Sequence, residues 1–184
     1  MKPTEILSDE HRVILRVISA LNEAVKRLES GKEIRPTFFI DASDFIKGFA
    51  DGCHHKKEEG VLFKEMGNYG VPKEGGPIGM MLLEHEQGRA YTRAMRSATQ
   101  RFMDGDETAQ KEIILNANGY INLLTQHIYK EDNILFPMAD RVIPPDGQNK
   151  VAAEFETVEH QVTGEGVHEK YLMLAESLEM EMHN

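Results

Sequence analysis

Tryptophan is absent from this 184-residue chain, and cysteine occurs once, at Cys53. A single thiol excludes an internal disulfide and a thiolate-ligated cluster, and it fits a reducing compartment. No stretch approaches the roughly 18 consecutive apolar residues of a membrane helix. The opening residues MKPTEILSDE carry no apolar signal segment either, so a cytoplasmic protein with no membrane partner is expected. Runs of Lys and Arg are also missing. With a formal net charge of −10, the chain lacks the basic footprint that nucleic-acid binding requires. It contains no glycine-rich phosphate loop, nucleophile elbow or zinc-protease motif, and His85-Glu86 lacks the second histidine a zincin needs. Sustained strand-like alternation is absent and Pro-Gly turns are few, which leaves an all-α fold in a single domain.

What the chain does have is eight histidines and an internal repeat. Residues 54–63 read HHKKEEGVLF and residues 127–136 read HIYKEDNILF, both fitting His-x-x-Lys-Glu-acid-x-(Val/Ile)-Leu-Phe. On a helix, residues four apart lie only about 40° apart in azimuth and one turn up. His54 with Glu58, and His127 with Glu131, therefore each present an imidazole and a carboxylate from one face. Such pairs can grip a metal ion.

The apolar spacing predicts four helices in an up-down bundle. The first spans residues 4–30, between the start signals Pro3 and Thr4 and the stop at Gly31, and His11 interrupts its apolar stripe. The second runs from Pro36 to about Met66 and carries the first repeat. The third runs from about Pro77 to Met103, where Ile78, Met81, His85, Gly88, Thr92, Met95, Thr99 and Phe102 share one face and His85 again breaks the stripe. The fourth spans roughly Glu107 to Val142, with Ile114, Ala117, Ile121, Leu124, Ile128 and Leu135 inward and His127 and Glu131 in the gap they leave. A buried carboxylate is costly unless it meets a cation, and no Lys or Arg shares that face. Residues 1–142 are expected to form the bundle, and residues 143–184 a C-terminal helical extension packed on the same domain. The chain's one Glu-x-x-His, Glu165 with His168, is half of what a ferritin-like di-iron bundle needs, which disfavours that architecture.

Packed antiparallel, these stripes bring His11, His54, Glu58, His85, His127 and Glu131 to one core. Imidazoles and carboxylates without thiolates suit iron, manganese or zinc. His55 and Glu59 are shifted alternatives to His54 and Glu58, because the apolar residues of the second helix do not define its inward face sharply. Asp132 and His160 are further candidates.

The histidines and acid pairs, each followed by Leu-Phe, resemble those of the hemerythrin-like family, the HHE cation-binding domains, over about residues 4–140. That resemblance implies a centre of two non-haem iron ions, bridged by both glutamates and by an oxo or hydroxo group. On the first reading of such a centre, its irons are expected to take a small diatomic ligand, oxygen or nitric oxide. Oxygen-carrying hemerythrins have two histidines four apart on the third helix. Here the positions flanking His85 are Met81 and Arg89, so one imidazole is missing and more than one coordination position is expected to stay open. That favours a sensor or scavenger over a reversible carrier. The competing readings are an enzyme turning over peroxide or nitric oxide, and a structural metal bundle.

Overall fold

A computed structural model describes residues 1–164 and 166–183, and the side chains of all of these except 161–163. Helix accounts for 87% of the described residues, and no strand occurs among them. We number the helices α1 (Pro3–Glu29), α2 (residues 37–68), α3 (Pro77–Met103), α4 (residues 110–142), α5 (residues 145–163) and α6 (Val167–His183). The α3 limits are those the spacing predicts, with Pro77 in the first turn, where its missing N–H is harmless. At the start of α1, Glu5 accepts a hydrogen bond from the Lys2 backbone N–H at 2.8 Å, occupying one of the donors a helix end leaves unpaired.

Four helices run up and down, as the order of their core residues reveals. Two apolar clusters lie on either side of a polar layer. Along α1 the order is Leu7 of one cluster, His11, then Ile14 and Ile18 of the other. Along α2 it reverses: Phe45 and Phe49, then the histidines, then Leu62 and Phe63. The α3 order, Ile78, His85, Met95, matches α1; the α4 order, Leu124, His127, Leu135, matches α2. On α4 the inward stripe also includes the buried Ile113 and Tyr120, while Ile114 is only half-buried. Each fully buried Leu, Ile or Phe contributes about 1.5–3 kcal/mol, so the two clusters hold the polar layer between them against its own desolvation cost.

The C-terminal helices close over both clusters. Val151 and Phe155 of α5 join one, and Ala175, Leu178 and Met182 of α6 join the other. A Cβ placed on Gly48 would lie 1.9 Å from the Tyr171 ring, so this α6 side chain packs directly on the α2 backbone and a larger residue at position 48 would displace it. No described helix is long and apolar enough to cross a membrane.

Helix α2 is not a uniform α-helix. Its segments Ile46–His54 and Glu58–Leu62 are π-helical, as is Glu131–Leu135 on α4. A π turn fits an extra residue per turn and re-aims the side chains that follow it. Both repeats begin their five-residue π segment at the glutamate, Glu58 or Glu131. The shared sequence therefore encodes a shared backbone deviation.

Candidate metal centre

All six inward residues come together at the polar layer. His11, His54, Glu58 and Glu131 offer ligand atoms within 4.8 Å of one another, and so do His55, Glu58, His85 and His127. Glu58 belongs to both groups. Its Oε1 lies 3.4 Å from His54 Nε2 and its Oε2 lies 3.4 Å from His85 Nε2. Glu131 spans the same gap: Oε2 is 3.2 Å from Nε2 of both His11 and His127, and Oε1 is 3.9 Å from His85 Nε2. Every one of these side chains is buried.

His55 does not compete with His54; both point inward. The π-helical stretch ending at His54 turns two consecutive side chains toward the layer, His54 to the α1 side and His55 flat against His85, with ring centroids 3.8 Å apart. His55 thus brings a fifth imidazole to the layer, from α2, where α3 offers His85 alone.

The other sequence candidates lie elsewhere. Glu59 and Asp132 face away from the convergence point, each one position further round its helix than the inward glutamate. Their carboxylates instead accept hydrogen bonds from imidazole Nδ1 groups on the neighbouring helices, Glu59 from His85 at 2.7 Å and Asp132 from His11 at 2.9 Å. His160 is exposed on α5 and joins none of the groups among the described residues. Of the Glu-x-x-His pair, Glu165 falls outside the described residues.

Each of the five imidazoles donates its Nδ1–H to a carboxylate. Glu10 accepts from His54 at 2.9 Å, Asp51 from His55 at 2.9 Å and Glu84 from His127 at 2.8 Å. Such bonds fix the ring tautomer, leaving the Nε2 lone pair for a metal. Glu10, Asp51 and Glu84 were not singled out by sequence reasoning. The signal was present: Glu10-His11 and Glu84-His85 form the same dipeptide on α1 and α3. The repeat is therefore larger than its motif. Lys57 bonds Glu10 and Lys130 bonds Glu84; Phe63 stacks on His85 at 6.1 Å and Phe136 on His11 at 5.3 Å. The α1–α2 and α3–α4 halves are equivalent in these contacts. At the centre the symmetry breaks at Asp51 and His55, whose counterparts are Leu124 and Ile128.

The residues fit a cation. Both oxygens of Glu58, both of Glu131, and Nε2 of His11 and His54 are buried with no hydrogen-bond partner. Leaving one such group unsatisfied costs about 1–3 kcal/mol, more when it is charged. The Nε2 atoms of His85 and His127 face each other at 3.0 Å while both Nδ1 atoms donate elsewhere, so two lone pairs converge unless positive charge lies between or beside them. The titration behaviour points the same way. Burial pushes His55 well below its usual range, with His85, His54 and His127 adding to it, so His55 is neutral as a ligand must be. Burial alone would also lower His85, but Glu131 and Glu59 raise it to about 9, so the layer favours positive charge at this ring and a metal would have to displace its proton. Burial would lift Glu131, yet His127 and His11 hold it well below the carboxylate range. Asp51 is lifted by burial to about 6 despite Arg89. A third trio, Glu10, Cys53 and His168, also comes within 4.8 Å, but there Glu10 already bonds the ammonium of Lys57.

The chain matches the family described as hemerythrin HHE cation binding domain over residues 2–139. An uncharacterized protein of Mycobacterium tuberculosis is 25% identical over 161 residues, covering 88% of this chain and 62% of that one. The iron-sulfur cluster repair protein YtfE of Dickeya chrysanthemi is 30% identical over 135 residues, 72% of this chain and 61% of that protein. A probable iron-sulfur cluster repair protein of Haemophilus influenzae is 28% identical over 134 residues, 70% of this chain and 58% of that one. This chain spans about six tenths of the length of these curated relatives. No solved structure matches it.

Proposed function

The chain belongs to the hemerythrin HHE cation-binding domain family, and from that premise we propose that its buried layer holds two non-haem iron ions and takes oxygen, nitric oxide or a related small ligand, as a sensor or scavenger. The observation that carries the proposal is the unequal sharing of imidazoles around two common carboxylates. His55, His85 and His127 flank one side of Glu58 and Glu131, and His11 and His54 the other. With an oxygen from each glutamate and a bridging oxo or hydroxo group, a metal on the first side would find about six donors and one on the second about five. An exogenous ligand would then enter beside His11 and His54. Iron held there would supply redox and ligand-binding chemistry, and the protein's outer carboxylates orient the imidazoles that would hold it.

A sensor or scavenger is favoured over a carrier by what lies against His11. Its outer partner Asp132 lines a cavity of about 470 Å³ with Ser8, Asp9 and Arg12, a polar cleft one hydrogen bond from the side that would offer fewer donors. Water and protons that near promote oxidation over reversible release. The test is metal analysis with an absorption spectrum, then anaerobic reduction and repeated cycles of argon and air. Two irons per chain, near-ultraviolet charge-transfer bands shifted by azide, and a change in air that argon does not reverse are expected. An oxygenated form recovered over many cycles refutes the sensor or scavenger reading, and consumption of many equivalents of peroxide per chain makes the protein an enzyme.

A second reading follows from the names of the relatives, restoration of iron-sulfur clusters. Delivery of iron requires release, whereas ligands held by five outer carboxylates favour retention. Rapid capture of the iron by a mild chelator, with the fold retained, would support repair instead.

A further inference from the structure

The groove where α2 meets α3 carries basic side chains that this function does not use. A cleft of about 470 Å³ between α2 and α3 is lined by Lys47, Lys56, Arg89, Arg93 and Arg96, with Asp51 its one carboxylate. In a chain of net charge −10, five of 21 basic residues gather around one concavity. Arg89 is occupied: it contacts Glu59 at 2.7 Å, Glu86 at 2.6 Å and Asp51 at 3.3 Å. Arg96 pairs with Asp44 at 2.5 Å. The exposed side chains of Lys47, Lys56 and Arg93 have no hydrogen-bond or ion-pair partner among the described residues. These three cations share one cleft whose single carboxylate, Asp51, is already engaged by Arg89 and His55, so their positive potential is relieved when an anion enters.

We propose that this cleft binds a small phosphate-bearing anion, which bridges Lys47, Lys56 and Arg93. The concavity has the size of a small-molecule site. Two ammonium groups and a guanidinium reaching in from two helices suit a tetrahedral anion, whose oxygens point in several directions. A planar carboxylate would engage one arginine fork, here that of Arg93, and leave both ammonium groups unused. The cleft also lies over the Asp51–His55 pair, where the two halves of the bundle differ. Arg89 on its wall contacts both Asp51 and Glu59, the outer partners of His55 and His85.

Calorimetric titration of the full-length protein, as purified and at low ionic strength, with inorganic phosphate and in parallel with succinate tests this. A double variant, Lys56→Glu with Arg93→Glu, is the control. Both side chains are exposed and unpartnered, so the variant keeps the helical circular-dichroism signal, and Lys47→Glu is an independent second variant. One phosphate per chain, bound more tightly than succinate and weakened by about tenfold or more in each variant, is the expected result. Succinate binding the tighter overturns the phosphate assignment. No heat with phosphate, or phosphate bound equally by wild type and variants, the buried centre included, overturns the site.

Discussion

Lys57 provides the sharpest test of how the polar layer is held. Its ammonium is fully buried, 2.5 Å from Glu10 Oε1 and 2.9 Å from Glu159 Oε2. The other Glu10 oxygen accepts from His54, so Lys57→Met strips a buried carboxylate of its cation while keeping the shape of the stem. Burial would lift Glu10, but His54 and Lys57 hold it at about 2, so it stays ionised at neutral pH and is left uncompensated. Breaking a buried pair from one side costs about 3–5 kcal/mol. The Glu159 arm is discounted, because that side chain is 34% exposed and can turn to water. We expect a loss of about 3 kcal/mol, which for a chain of this size lowers the thermal midpoint by about 6–12 °C. Glu10→Gln in the same background removes the stranded charge, so the double variant should be more stable than the sum of the single losses by at least about 1 kcal/mol. The repeat supplies an internal control. Lys130 holds the equivalent place beside Glu84 but is 33% exposed, so Lys130→Met should cost no more than about 1 kcal/mol. The assay is urea unfolding of samples matched for metal content. A Lys57→Met variant within about 0.5 kcal/mol of wild type, or single effects that simply add, would refute the reasoning.

His55→Ala should lower the metal content as much as His54→Ala does, and Glu58→Gln should abolish loading. Glu59→Gln should weaken affinity only about 10–100-fold in a competition with a chelator, since it acts through His85 Nδ1; equal losses at Glu58 and Glu59 would contradict the bridging geometry. Gly48→Ala forces its Cβ into the Tyr171 ring, so it should speed proteolysis within the last two helices, and Tyr171→Ala should reverse that. Unchanged cleavage would show that α6 does not depend on this contact.

The sequence by itself determined that the chain is helical, where its four long helices lie, and that both repeats turn a glutamate inward. Those features are local: the stripes on α1 and α3 have a constant period, so azimuth follows from spacing, and His11 and His85 stand out as polar members of apolar rows. Tertiary structure alone decided the rest. A constant period cannot register a π turn, and the one ending at His54 rotates His55 inward beside it, adding an imidazole that the spacing left as an alternative. The bonds of Glu59 to His85 and of Asp132 to His11 join residues 26 and 121 positions apart. Which acid faces the centre and which holds an imidazole from outside depends on how neighbouring helices are rotated against each other. Their packed cores set that rotation; the order of residues along one helix does not encode it.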